Sequence, residues 1–581
     1  MSNGPRGRIS RRRFIGSGLT AAAMGLMARR GVAVEALLSS ALKADSAFGP
    51  TSPLRKLPGQ LDSAWFLGLP FARWFTGDDF TQQSGYPFHS TPPCCPGSPP
   101  PPNERADVVV VGGGISGLAT AVMLEHHHPI VLELHEQFGG NAAGEVWENQ
   151  PYSIGSAYVI TPDKGSFLEQ FYRDLGLDRV HRFAGPQDPI ELGGRILFDF
   201  WTGQNRPPEE QKAFARYAEV VRYMAEESYP EIPLPEGKDN QWIIDLDRKT
   251  LWQDIEDQMG MPMPPLLAAA VQGYCYSSFG AGMQDISAAA GWNFLAAEEF
   301  GRWVFPGGNA YMSWAMWQRL RQLDDCMPPG QRPYHVRSQC MVVDVRLVGD
   351  GVQVTYLDPQ RKLQSIAARY AVVACPKHVA RYLIHGMEEL DAEKSRAIPG
   401  VSACAYVVAN VLLDAPVHLD FYDIFLLGDE SFPVDPVGLE GDPRVIDLLA
   451  GHYAKRVPGP RSVLTLYMPF PYGINMRPPL IVGDPWERLA GALAPQIERI
   501  LHLLALPKSA VRQIRMTRWG HAFPIARPEF IADGSAEYFQ RPIGDRIFFA
   551  NQDNWALPAV ENSLLDADRV ARQISAGLGG R

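Results

Sequence analysis

Three glycines and one carboxylate, at spacings that suit a phosphate-bearing ligand, have the plainest chemistry in this chain. In ADVVVVGGGISGLATAVML (residues 106–124) an apolar strand runs into Gly112, Gly114 and Gly117 and straight on into a helix. Gly112 permits the tight turn, Gly114 lets backbone approach a pyrophosphate, and Gly117 allows close helix–strand packing. The helix N-terminus then faces the phosphates. Twenty-one residues after Gly112, Glu133 follows a second apolar run, where a carboxylate can bind ribose hydroxyls. HEQFGGNAAG then places Gly139 and Gly140 just beyond it, a second point of close backbone approach. That second glycine site suits a long dinucleotide, FAD rather than NAD.

Stepping outward, further segments must complete such a site. The set Gly112-Gly113-Gly114-Ile115-Ser116-Gly117, Glu133 and Gly139-Gly140-Asn141 resembles the FAD fingerprint of the flavin-containing amine oxidase and phytoene desaturase superfamily. FPGGNAYMSWAMWQRL (305–320) is similar to that family's Pro-x-Gly-Gly turn and helix. VVDVRLVGDGVQVTYLD and ARYAVVACPKHVA read as strands and resemble its adenine-side hairpin and returning strand, with Val342 implied as the backbone contact to adenine. GDRIFFANQDNWALPAVENSLLDADRVARQI (544–574) resembles the C-terminal flavin-contact motif, which brings Asn551 and Asp553 to the cofactor. The likeness covers residues 106–572, most of the chain.

Two departures set the branch. Where many relatives have Phe-Ala-Gly-Glu or Phe-Ala-Gly-Asp, this chain has Phe549-Ala550-Asn551-Gln552-Asp553, which with ACAYVVANVLLDAP (403–416) looks closer to spermidine dehydrogenases. The strand matching residues 406–413, where relatives often carry a lysine near flavin N5, has none. That absence points to a dehydrogenase passing electrons to a periplasmic acceptor, with O2 as the alternative.

Other reactive side chains weigh less. His521, in RWGHAFPIARPEF, is the candidate base or substrate-positioning residue, against a structural, hydrogen-bonded role. Trp292, Trp303, Trp314, Tyr274 and Tyr276 are candidates for a cage, but aromatics at helical spacing read first as core. Glu298 and Glu299 read first as surface residues, with attraction of a substrate ammonium as the alternative. The His126-His127-His128 run reads as a solvated helix end rather than a metal site.

Composition bounds the rest. At 581 residues, 46% hydrophobic and 20% charged, the chain is an ordinary large globular protein. Its formal net charge of -10 argues against nucleic acid as partner. Seven cysteines show no zinc spacing. SRRRFIG and a weak apolar run resemble a twin-arginine export signal, implying passage through the translocation machinery to the periplasm or beyond.

The expectation is an α/β protein: a Rossmann-like FAD domain in three parts (105–160, 305–395, 535–581) interleaved with an α+β substrate domain (161–304, 396–534). A signal peptide (1–44) and a strap with a proline-rich linker (45–104) precede them, the strap's aromatics lying on the body's surface. The expected function is an exported FAD oxidoreductase acting on a small molecule, oxidising an amine C–N bond by hydride transfer to flavin N5. Alternatives are a desaturase or isomerase of an apolar chain and a non-catalytic flavoprotein subunit.

Overall fold

The computed structural model describes residues 48–77, 98–186, 188–428, 443–455, 459–470, 478–481 and 483–579. The export-signal motif, Cys94 and Cys95 lie outside them. The architecture is the expected mixed α/β one, organised on two large sheets.

The seven-stranded sheet is where the glycine turns arise. Its order runs Val336–Arg337, Ile130–Leu132, Glu104–Val111, Leu363–Val373, Gly351–Leu357, Met341–Val348, with Ile547–Phe549 added beside Leu363–Val373. Four pairings around Glu104–Val111 and Leu363–Val373 are parallel, whereas the two last strands form an antiparallel hairpin. Val108–Val110 and Val372–Val373 are fully buried, as strands covered on both faces require. Helices Ile115–Met123, Ala310–Asp325 and Val560–Gly579 supply one cover, through Leu118, Met312, Met316, Trp317, Leu564 and Val570.

The ten-stranded sheet is mostly antiparallel. Asp423–Gly428, Asp447–Ala450, Ser462–Phe470, Ala405–Leu413 and Val511–Trp519 are consecutive neighbours in it. All nine residues of Ala405–Leu413 are buried, because helix Pro485–Leu503 covers one face and a helical layer the other. That layer includes Leu251–Met259, opened by a Thr250/Gln253 capping box, and Pro265–Phe279, apolar almost all round.

The strap does more than lie on the surface. Leu54–Lys56 pairs in parallel with Gly144–Trp147, and the hairpin Ser63–Phe66/Leu69–Ala72 extends the edge of the ten-stranded sheet. Alternation explains the difference: Leu69 and Phe71 enter the core while Trp65 and Trp74 stay exposed.

Candidate active site

One cavity of about 840 Å³ connects the two sheets. Its nucleotide end is made of backbone. Gly112 turns the chain at φ 112°, a conformation that favours glycine. Gly117 is a packing glycine, since a Cβ there would stand 1.9 Å from the Gly112 carbonyl oxygen. Gly114 differs: an added Cβ would meet nothing nearer than 3.9 Å, and the residue lines the cavity. Packing within the protein therefore does not demand glycine at 114; a ligand brought against the backbone would. Helix Ile115–Met123 starts there without a side-chain cap, so its first N–H groups keep no partner of their own.

The second glycine pair closes on the first. Gly139 N donates to Gly113 O at 2.9 Å, and Gly139 and Gly140 both take positive φ. Glu133 is buried at the cavity wall, accepting from Gly113 N at 2.6 Å and His135 N at 2.8 Å. Its remaining lone pairs are available to a ribose. Val342 reaches the same wall, beside a register shift between Val342 and Asp344. Ile115, Ser116, Asn141, Asn551 and Asp553 line the cavity too, and Asn141 Nδ2 donates to the carbonyl of Ala522. These residues fit FAD: uncapped helix amides and a glycine cradle for pyrophosphate, with a carboxylate for ribose. The strap adds Arg55, a cation on the cavity wall that strand-and-turn reading missed.

Behind the C-terminal motif lies a cluster that sequence reading also missed. Lys377 is 1% exposed, lines the cavity, and its Nζ has no hydrogen-bond partner. Burial pushes its pKa down, with Asp553 opposing. Asp553 Oδ2 accepts Lys377 N at 2.7 Å, and burial raises that carboxyl. A lysine from another segment thus reaches the cavity, although strand Ala405–Leu413 has none. His521 also lines the cavity and stacks on His378 with ring centroids 4.1 Å apart.

The far end is built of ionisable side chains. Arg302 is 1% exposed and sits 2.5 Å from Asp188 Oδ1, 3.3 Å from Asp423 Oδ2 and 3.5 Å from Glu298 Oε2. Glu298 is therefore not a surface residue: Tyr158 and Tyr274 donate to its Oε1 at 2.9 and 3.2 Å. Burial raises its carboxyl, which Arg302 partly offsets. Among the five cage candidates none lines the cavity. Trp292 is core and donates to Asp254, Trp303 stacks on His181, Trp314 stacks on Phe48, and Tyr276 is fully buried. Aromatics that do line it include Tyr158, Tyr406, Tyr467, Phe425, Phe523 and Trp519. His126 and His127 form a short 3-10 turn, with His128 left-handed after it.

A Rossmann-like sheet with two glycine turns, joined by one cavity to a mostly antiparallel sheet, fits the class of FAD-dependent oxidoreductases. The model of the flavin containing amine oxidoreductases matches residues 115–575, and the chain belongs to that family. FAD is its cofactor. Among solved structures, cyclohexylamine oxidase from Brevibacterium oxydans IH-35A is 17% identical with TM-score 0.54, covering 82% of this chain and 99% of its own. Putrescine oxidase bound to putrescine is 15% identical with TM-score 0.57, covering 81% and 99%. A CLA-producing fatty acid isomerase from P. acnes is 14% identical with TM-score 0.55, covering 80% and 98%. These identities show a shared fold. No curated protein sequence matches the chain significantly.

Proposed function

We propose that this FAD oxidoreductase oxidises the C–N bond of a small amine to an imine, which water then hydrolyses. The observation that favours an amine over an apolar chain is the cavity's far wall. Glu298, Asp423 and Asp447 line it together with the phenols of Tyr158, Tyr406 and Tyr467. A hydrocarbon chain would strip water from those groups and return nothing, at a cost of kilocalories per group. An amine can bond to them.

When bound, FAD supplies the two-electron acceptor. The chain's own residues hold and orient. Gly112, Gly114, Ile115, Ser116, Gly117, Gly139, Gly140 and Asn141 form the pyrophosphate cradle, Glu133 takes the ribose, and Val342 meets the adenine. Asn551 and Asp553 anchor the C-terminal motif: Asn551 Oδ1 accepts Asp553 N at 3.1 Å while Asp553 holds the turn at Lys377. His521, stacked on His378, stands where it can position the substrate. Gly114→Leu tests the cradle. A folded, colourless protein is expected, and full flavin content would refute the assignment.

The electron acceptor is read as a periplasmic carrier such as a quinone or cytochrome, supported by the lysine-free strand Ala405–Leu413. Lys377 makes O2 the specific second reading, because a lysine at the cavity, when protonated, can stabilise superoxide. Anaerobic mixing with an amine panel should bleach the flavin, whereas apolar chains should not. Reoxidation of that sample by an artificial acceptor should outpace reoxidation by air. Bleaching by apolar chains alone would overturn the amine reading, and turnover-rate reoxidation by air would assign the acceptor to O2.

A further inference from the structure

The strap lies upstream of every residue of the glycine fingerprint, yet it enters the same cavity. It is stitched to the loop that carries the second glycine pair. Thr51 O accepts from Phe138 N at 3.1 Å and Pro53 O from Gly144 N at 2.8 Å, so strap bonds stand on both sides of residues 139–143. Gln137 Nε2 adds a bond to the same Pro53 carbonyl at 3.1 Å. Leu54–Lys56 then runs in parallel beside Gly144–Trp147, with Arg55 in register with Glu145. From this strap Arg55, Phe75, Thr76 and Gly77 reach the cavity wall.

Arg55 is loosely held for a cation on a cavity wall. Its nearest acid, Glu145, stands 3.8 Å away, outside hydrogen-bond reach. Glu145 already takes two bonds from Arg515 and one from Tyr152. Among the partners that lower the Glu145 carboxyl, Arg55 contributes least. The glycine cradle, in contrast, lacks a cation of its own. A dinucleotide's pyrophosphate is a dianion, and Glu133 and Glu136 line the cavity as well. Backbone amides and the uncapped start of helix Ile115–Met123 bring partial charge only. Among the described lining residues Arg55 is the one arginine and Lys377 the one lysine, and burial pushes Lys377 toward its neutral form.

We propose that Arg55 binds the pyrophosphate of FAD, which makes the strap a clamp on the cofactor. A guanidinium fork takes two phosphate oxygens at once, where an ammonium gives a point contact. The 3.8 Å gap to Glu145 lets the fork turn toward the cradle without breaking a hydrogen bond. Glu145 stays neutralised when it does, because Arg515 holds it. The coupling runs both ways: a docked strap tightens FAD, and FAD tightens the docking of the strap by the same factor. The inference concerns retention of the cofactor and is independent of the substrate.

The test follows release of FAD from diluted holoenzyme as the recovery of flavin fluorescence. Arg55→Gln should release FAD faster by on the order of ten- to a hundred-fold, the worth of one charge-assisted hydrogen bond. Arg55→Lys keeps the charge and loses the fork, so its release should fall between the two. Raising salt should speed release from the wild type and narrow its gap to Arg55→Gln, because the Arg55 side chain is 32% exposed and its charge is screened. Chymotrypsin reads the other half of the linkage, since Trp65 and Trp74 are exposed on the strap. At equal flavin occupancy the wild type should be cut there more slowly than Arg55→Gln. Where Arg55→Gln fails to fold or to keep its flavin, Arg55→Lys against the wild type at varied salt decides the matter. Release from Arg55→Gln at the wild-type rate, equal acceleration in both variants, or a gap unmoved by salt overturns the clamp and leaves the FAD assignment standing.

Discussion

Two buried carboxylate centres in this protein have opposite balances of charge. Glu145, fully buried, is gripped by Arg515, whose Nε and Nη2 both bond it, the latter at 2.6 Å, and Tyr152 donates at 2.6 Å with Arg55 3.8 Å away. Burial alone would raise that carboxyl, and Arg515 leads the partners that bring it below its ordinary range. Around Arg302 the ratio is reversed: several acids share one guanidinium, and Asp423 is held well above its ordinary range. Equal burial thus produces a matched structural rivet in one place and an acid-rich cluster in the other. Buried charge contributes to stability where it is matched, and it marks function where it is not.

The sharpest way to break that contrast is at the rivet. Arg515→Met leaves Glu145 with the Tyr152 hydroxyl and, as its cation, only the more distant Arg55, and removal of one partner from a buried pair costs about 3–5 kcal/mol. Because the folded pKa of Glu145 is depressed, its stabilisation is present above the unfolded value near 4.3 and fades as pH falls through the folded one. The loss, read from urea midpoints, should therefore be full at pH 7 and shrink in acid; a pH-independent loss would reduce Arg515 to packing alone.

A mismatched cation offers a middle-sized test. Lys394 is fully buried between Phe549 and the carbonyls of Tyr538 and Arg541, and burial lowers its pKa to about 6. Between about pH 6 and the unfolded value near 10.5 the unfolded chain binds one proton more, so stability should rise by about 1.4 kcal/mol per pH unit from this residue. Lys394→Met should flatten that slope, and an unchanged slope would show the lysine to be charged in the fold.

The smallest effect belongs to the acids around Arg302. Asp447 is held up in pKa, so it opposes folding increasingly as pH rises from near 4. Asp447→Asn should raise the thermal midpoint of the substrate-free enzyme by roughly 2–4 °C at pH 8 and by almost nothing at pH 4. A lower midpoint at pH 8 would make Asp447 a structural acid.

These centres also show what a sequence reveals. The glycine turns and their shared cavity wall were legible because their parts are local: Gly112, Gly114, Gly117 and Glu133 are placed by turn geometry set by neighbours in the chain. The far end of the cavity depends on strand pairing, which puts Asp423 next to Asp447 only after the sheet forms. A signal was nevertheless present. Asp423 interrupts FYDIFLL and Asp447 interrupts VIDLLA, single acids within apolar strands. Glu298 and Arg302 stand four residues apart, a spacing that invites an ion pair; reading Glu298 as surface overlooked it. Lys377 and Arg55 gave no such warning, since only tertiary packing carries a helix start and a strap strand to the cavity.

The strap imposes an order on the birth of the molecule. Its Thr76 hydroxyl bonds that of Thr517 at 2.7 Å across 441 positions of sequence, and Gln513 reaches back to Asp62 and Ser63. The strap thus waits for partners made 441 residues later, and loops of that length close late. Until strand Val511–Trp519 is in place, the strand carrying Leu69 and Phe71 lacks its neighbour in the sheet. Docking of the strap therefore signals that the substrate sheet is complete, and protease cleavage within residues 60–77 would distinguish a finished molecule from an unfinished one.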